Sequence, residues 1–404
     1  MRSILQSYIK FVFLPENADI CYEMKVQSYV IFFLLLGVLP DICLLKTILT
    51  DWPVFGKLAV CLTSLGLFVC LLLILFIVRY SDSVRVFSWL TFLFALPKTV
   101  LALFSLAGWA ATGAVLAGAV FLFFLVLIFY VTRHLQVYSE DLSFEDLPDL
   151  FDGLRICQLS DFHLGSFGRK SRYIRRIIDT TLSHRPDLIL FTGDLVNFES
   201  DEALPYRNEM TRLSAPMGIF AIRGNHDYLL HGHHNEEERL SDMERLLELE
   251  QSFGWRILRN EHVLLERDRE ALALIGVDNV SANPFFKKES GDLPLAMQGL
   301  AKDLFKILLS HDPSHWRAEV VPDGSIALTF SGHTHGLKYK MAGRHISHWH
   351  LPESAGTYRE NRQVLHVSKG LGSAFAFRLG GFPNIDILTL RRAKTHTETK
   401  TETL

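Results

Sequence analysis

The sequence predicts a chain in two parts, an N-terminal all-α bundle of about four transmembrane helices followed by an α/β domain. Three observations carry that expectation. Leu58 to Val78 is a run of 21 uncharged residues, and at about 1.5 Å per residue it covers the roughly 30 Å hydrocarbon core of a bilayer. Thr99 to Thr132 is uncharged for 34 residues, longer than one span needs. With Val86–Leu96 before it and Gly108, Trp109 and Gly113 inside it as turn signals, it divides more readily into two helices than one. From residue 154 onward, short apolar runs alternate with helical patterns, which is the rhythm of βαβ units.

The earliest span, near Tyr29–Leu45, is interrupted by Pro40 and Asp41, and Lys98 beside Pro97 marks the third. Four spans fit residues 1–135 best, with three as the alternative. Glu16, Asp19 and Glu23 stand where a cleaved secretory signal would need an apolar core, so the segment is expected to stay attached. With four spans, Arg2, Lys10, Lys25, Arg79, Arg85 and Arg133 share one side and only Lys46 and Lys57 the other. Positive charge accumulates on the cytoplasmic side, which places both termini there. Asp41 and Lys98 read as helix-end or helix-pairing residues in preference to a transport path.

Charge divides the chain too. Through residue 135 there are 9 Lys/Arg against 6 Asp/Glu, leaving 32 against 38 for the remainder. A net acidic domain is a poor binder of polyanions, so no nucleic-acid partner is expected. Of Cys21, Cys43, Cys61, Cys70 and Cys157 only the last falls in the second part, which excludes an internal disulfide there and favours a reducing compartment.

Residues 136–153 are polar and acidic, with Pro148 and Gly153 as breakers, and read as a connector. Strands are expected at 154–160, 187–192 and 217–223, with a helix over 171–184. A Glu-rich helix near 236–253 follows, then strands near 256–266, 271–277, 306–310, 325–331, 363–368 and 384–390. Residues 393–404, polar and low in complexity, read as a disordered tail.

Five of these strands end in polar clusters. Strand 154–160 runs into Asp161-Phe162-His163, 187–192 into Gly193-Asp194, and 217–223 into Gly224-Asn225-His226-Asp227. Strand 306–310 ends at His311-Asp312, and 325–331 at Gly332-His333-Thr334-His335. Loops beyond the carboxyl ends of strands in an α/β sheet converge on one crevice, so separate clusters are delivered to a common place. A lone Asp-x-His is usually a turn, but five such clusters in order are not. The donors are carboxylate, imidazole and one amide, without thiolate, which suits Mn²⁺, Fe or Zn²⁺. There are more donors than one ion uses, which points to two divalent metal ions about 3.5–4 Å apart.

The motifs DFH, GD, GNHD, SHD and GHTH resemble the calcineurin-like metallophosphoesterase family over roughly residues 154–392. The resemblance implies a two-sheet αββα sandwich. It implies one ion held by Asp161, His163, Asp194 and His335, and a second by Asp194, Asn225, His311 and His333, with Asp194 bridging. The family's Gly-Asp motif often continues to a second Asp; here Leu195, Val196 and Asn197 follow, which makes Asn197 a candidate behind the ligands.

Two ions sharing a water would activate it for in-line attack on phosphorus. His226 is the candidate for protonating the leaving oxygen, since imidazole titrates near working pH. Asp227 either orients His226 or caps the following turn. His231, His233 and His234 form a His-rich loop read as solvated, Glu236–Glu238 open a helix, Phe285–Lys288 reads as a surface loop, and Gly370–Gly381 lacks the helix a phosphate-cradling loop needs.

Membrane tethering of a phosphoesterase makes most sense for an amphiphilic phosphate substrate. The arrangement is similar to membrane-anchored bacterial members of the family that cleave UDP-2,3-diacylglucosamine to lipid X and UMP in lipid A synthesis, with the catalytic domain on the cytoplasmic side of the inner membrane. A general phosphodiesterase or phosphatase on soluble or protein-bound phosphate is the other enzymatic expectation. A non-catalytic membrane scaffold is the expectation from another class; none of the seven ligand positions is lost, as a decayed site would predict.

Overall fold

The computed structural model describes residue 31 and residues 34–393, apart from 52, 77–79, 169–171, 231–234, 282–290, 337–339, 342–343, 346–351, 375–376 and 380. The tail 394–404, the His231–His234 loop and Phe285–Lys288 lie outside the described residues. The chain divides into a helical unit, Met1–His134 with Ser373–Leu379, and an α/β unit formed by the rest.

In the helical unit, Leu34–Val38 runs into α1 (Leu39–Thr47), followed by α2 (Val54–Phe76). Helix α3 (Tyr80–Leu90) continues through Thr91–Ala95 into α4 (Leu96–Leu106), and α5 (Ala110–Phe129) completes the unit. The expected division of the long apolar run falls at Gly108, whose φ of 80° is left-handed. Gly113 lets α4 and α5 pack closely, because a Cβ there would stand 2.6 Å from that of Phe104. Among the described residues two stretches, Arg85–Leu106 and Ala110–Arg133, are long and apolar enough to cross a membrane. The expectation of four spans is not confirmed: α1 has nine residues and α2 twenty-three, and residues 1–30 and 77–79 next to them lie outside the described residues. Lys98 donates to Asp41 at 2.6 Å and to Ser64 at 2.8 Å, so the two charges pair between helices α1 and α4. Phe377 packs on Phe92 and Phe124 at ring separations of 4.6 and 5.3 Å, which puts Ser373–Leu379 with the helices instead of the domain 154–392 that was expected to contain it.

The α/β unit contains two six-stranded sheets. The first, in spatial order, comprises β1 (Gln136–Phe144), β14 (Asn384–Arg392), β2 (Arg155–Leu159), β3 (Leu188–Phe191), β4 (Ile219–Ala221) and β5 (Arg256–Ile257). The second comprises β12 (Gly356–Glu360), β13 (Gln363–Val367), β9 (Leu328–Ser331), β8 (Phe305–Leu309), β7 (Glu270–Gly276) and β6 (Glu261–Arg267). Period-two alternation explains the layering. Ile156, Leu188 and Leu190 face Leu274, Ile307, Leu309, Leu328 and Phe330 in a core between the sheets. Their neighbours Cys157, Leu159, Ile189 and Phe191 face outward onto α6 (Arg172–Ser183) and α8 (Glu236–Ser252). Ala273, Ile275 and Leu308 pack outward against Trp316 and Val320. The result is the expected two-sheet αββα sandwich.

The connector is corrected. Gln136–Phe144 is an edge strand in parallel register with β14, from Gln136 opposite Asn384 to Phe144 opposite Arg392. Its polar composition reflects one wet edge, and its partner lies far along the chain, where local pattern carries no signal. Strand β12 and the small hairpin of β10 (Lys340–Met341) with β11 (Arg344–His345) also went unexpected.

On α8, Glu250 is fully buried and neither carboxylate oxygen has a hydrogen-bond partner. Burial, reinforced by Asp227 and opposed by Arg223, pushes its pKa from 4.5 up to about 8. The folded state therefore holds a proton that the unfolded chain has released, and the stability this proton supplies is complete below pH 4.5 and is lost as pH rises through about 8. Glu250→Gln should melt higher than wild type near pH 8, and the gap should close near pH 5; a pH-independent gap in thermal denaturation would contradict the assignment.

Candidate metal centre

The five clusters sit where β2, β3, β4, β8 and β9 end, and the backbone there is unusual. Asp161, His163, Asp194, His333 and His335 all have left-handed φ, between 48° and 68°. Non-glycine residues adopt this region at a cost that surrounding structure must offset, and such strain gathers at functional sites. Gly193 and Gly224 make the convergence possible: a Cβ on Gly193 would lie 2.4 Å from the Gly224 nitrogen, and one on Gly224 would lie 2.2 Å from Asp194 Oδ1.

All seven side chains expected from sequence meet there. Asp194 Oδ2 lies 3.5 Å from His163 Nε2 and 3.3 Å from His311 Nε2. Asn225 Oδ1 lies 3.2 Å from His311 Nε2 and 2.8 Å from His333 Nδ1. His335 Nε2 stands 3.8 Å from Asp161 Oδ1. Candidate ligand atoms fall into three groups, each within 4.8 Å: Asp161 with His163 and His335, Asp194 with His311 and His333, and His163 with Asp194 and His226.

The imidazoles are aimed from behind. His163 Nδ1 is engaged by Asn197 Oδ1 at 2.7 Å, and its buried Nε2 faces Asp194 with no hydrogen-bond partner. His311 Nδ1 is held by the Thr192 carbonyl at 2.7 Å. This is the arrangement in which one ring nitrogen is fixed and the other is presented to a cation. The donor set and the orphaned His163 Nε2 fit divalent metal.

Electrostatics say the same. Burial and the neighbouring Asp194 push Asp161 up to about 6. Burial would also raise Asp194, but His311 and His226 hold it well below the usual carboxylate range. Burial works against a charged His311, yet Asp194 raises it to about 10. Burial drives His163 down to about 3, so it is neutral and available as a ligand.

Some residues act differently from the expectation or carry no sequence signal. Asp227 does not face the His226 ring: its oxygens accept the backbone N–H groups of Asp194 (2.7 Å), Leu195 (2.8 Å), Val196 (3.3 Å) and Gly224 (2.9 Å). It is a positioning residue, and His226 Nδ1 instead meets the Asn197 carbonyl at 3.0 Å. Glu202, buried and pushed by burial up to about 8, accepts from the Asn197 nitrogen at 2.6 Å, Phe198 at 3.1 Å and Gly165 at 3.1 Å, tying the His163 and Asn197 loops together. A Glu in a turn of Ser-Asp-Glu carries no motif, so only the fold reveals it. The glycine-rich stretch from Gly370, set aside as a phosphate loop, instead supports the site: the Gly372 N–H donates to the Asp161 carbonyl at 2.6 Å.

Asp227→Asn turns an acceptor into a donor facing N–H groups and should destabilise the protein by about 1–3 kcal/mol in urea titration. His226→Ala should unfold like wild type. Equal stability of Asp227→Asn and wild type would mean the carboxylate is not the backbone anchor.

Residues 154–337 match the family described as calcineurin-like phosphoesterase. A transmembrane protein with metallophosphoesterase domain from Danio rerio is 26% identical over 64% of this chain, a match spanning 58% of that relative's length. An uncharacterised metallophosphoesterase, YkuE, from Bacillus subtilis is 29% identical over 61% of this chain and 82% of its own. UDP-2,3-diacylglucosamine pyrophosphatase LpxG from Chlamydia muridarum is 26% identical over 58% of this chain and 83% of its own. With its five motif blocks gathered at the strand ends of a two-sheet sandwich, the chain carries a calcineurin-like metallophosphoesterase domain.

Proposed function

We propose that the protein is a membrane-bound phosphoester hydrolase that uses two divalent metal ions, Mn²⁺ foremost with Fe or Zn²⁺ as alternatives, on an amphiphilic phosphate substrate. The observation that carries the hydrolytic part is the gathering of seven hard or intermediate donors in one place, with Asp194 Oδ2 between His163 Nε2 at 3.5 Å and His311 Nε2 at 3.3 Å and the free His163 Nε2 among them. Asp161, His163, Asp194 and His335 would hold one ion and Asp194, Asn225, His311 and His333 the other. When bound, such a pair polarises the phosphate and lowers the pKa of a shared water.

The chain's own residues do the rest. The water gives one proton to solvent and bonds to phosphorus as the bond to the leaving oxygen breaks in line, and the leaving oxygen takes a proton from Nε2 of the His226 imidazolium, which returns to the neutral ring. The Asn197 carbonyl fixes His226 Nδ1, leaving Nε2 for that transfer. The His226 N–H also donates to Asp194 Oδ1 at 2.9 Å, so the acid and the bridging carboxylate are held in one frame.

The substrate reading is UDP-2,3-diacylglucosamine, cleaved to lipid X and UMP on the cytoplasmic face of a bacterial inner membrane. It is supported by likeness to LpxG and by the two apolar helices, which would keep an acylated substrate close.

Asp194→Asn should abolish turnover and lower metal content from about two ions per chain, measured by elemental analysis; full loading with near wild-type activity would refute the two-metal assignment. His226→Ala should slow turnover about 10²–10⁴-fold with metals retained, and less for a substrate with a good leaving group. For the substrate, each buried CH₂ contributes about 0.8 kcal/mol, so shortening the acyl chains should lower kcat/KM steeply. Equal efficiency on deacylated UDP-glucosamine would leave a general phosphodiesterase.

A further inference from the structure

The α/β region is acidic as a whole, yet one face of it is concentrated positive charge. Helix α6 buries Tyr173, Ile174, Ile177, Ile178 and Thr181 against the first sheet and turns Arg172, Arg175 and Arg176 to solvent. The short helix α7 (Arg207–Met210) lies beside it, with Arg207 and Arg212 exposed. Across Arg172–Ser183 and Leu204–Arg212 these five guanidinium groups meet two carboxylates, Asp179 and Glu209. Arg212 pairs with Asp179 at 2.5 Å and Arg175 with Glu209 at 3.4 Å, in pairs exposed enough to be screened by salt. Arg172, Arg176 and Arg207 exceed the local acidic complement. An open depression runs along Arg172, Arg175, Arg176, Asp179, Thr180 and Ser183, and Leu204, 51% exposed, stands immediately before α7.

We infer that this arginine face is a docking surface for the anionic headgroups of the bilayer in which the chain is anchored. The inference rests on the membrane reading above. Guanidinium groups recognise phosphate oxygens bidentately, and juxtamembrane cations are attracted to an anionic leaflet over roughly a Debye length. An exposed leucine beside such a cluster adds an apolar contact at the headgroup boundary. Nucleic acid is the less favoured polyanion, because the rest of the domain is acidic and would repel it.

The test uses the full chain reconstituted in phosphatidylcholine vesicles doped with photoactivatable phosphatidylglycerol or, separately, photoactivatable phosphatidylcholine, with crosslinked peptides mapped by mass spectrometry. Peptides spanning 172–183 and 204–212 should be labelled about fivefold or more by the anionic probe over the neutral one, and the excess should vanish in about 0.5 M salt. Arg172→Glu with Arg176→Glu should abolish the excess. The milder Arg172→Gln and Arg176→Gln should each reduce it, which guards against a misfolded double variant. Equal labelling by both probes, or labelling indifferent to these substitutions, overturns the inference while the chain remains in the bilayer. Competition by millimolar inorganic phosphate or by an oligonucleotide as effective as anionic lipid overturns it in favour of a soluble ligand. A chain that fails to enter vesicles overturns the membrane reading along with it.

Discussion

Everything at the candidate metal centre depends on a buried carboxylate whose oxygens are taken up by the main chain. Asp227 gathers four backbone N–H groups, from Asp194, Leu195, Val196 and Gly224, onto two oxygens. Those amides belong to the ends of β3 and β4, so one side chain fixes the separation of two loops. The left-handed backbone at Asp194 is the consequence: at φ 62° its own carboxylate turns toward His163, His311 and the His226 amide. A strained conformation persists only where the surroundings over-determine it. Glu202 repeats the device one loop away with three amides, and through Asn197 it reaches His163. The side chains that face the reaction are thus aimed by carboxylates whose work is done on the main chain.

That division explains what could be read from the sequence and what could not. The five clusters that hold Asp161, His163, Asp194, Asn225, His311, His333 and His335 were legible because each follows an apolar strand and an α/β sheet sends strand ends to one place, while the resemblance singled these seven out within the clusters. The alternation of buried strands and helices was legible from apolar runs bounded by turns, while the two-sheet arrangement came from the resemblance of the motifs. Asp227 lies inside a motif, yet sequence adjacency to His226 suggested the wrong partner; its bonds run to residues about thirty positions earlier. Glu202 has no motif at all. Strand β1 was hidden because an edge strand with one wet side is polar, and its pairing with β14 spans almost the whole domain. The segment Ser373–Leu379 shows the same limit, since only its contacts with Phe92 and Phe124 reveal that it packs with helices.

The helical unit follows a different logic. Its apolar residues specify that helices form, but outward-facing and helix-facing leucines look alike in sequence. Specific pairing comes from exceptions to the pattern. Gly113 removes a Cβ where Phe104 approaches, and Lys98 with Asp41 and Ser64 forms a polar knot among apolar helices. The residues that weakened the span assignments are therefore the residues that fix how those helices meet.

The acidic centre carries its own argument for cations. Asp161, Asp194 and Asp227 are buried together, and two of them are pushed up to about 6 by burial and by Asp194's charge. Three ionised carboxylates cannot share such a space at neutral pH without compensating charge. The protein supplies a partial answer in His311, which Asp194 holds protonated up to about 10. A protonated imidazole is a poor ligand, because its lone pair is occupied. Divalent cations held by these residues would take the place of that proton and neutralise the carboxylates, which would link metal loading to proton release. The charge gathered there favours a cation, and the strained backbone that gathers it is held in place by the amide hydrogen bonds of Asp227 and Glu202.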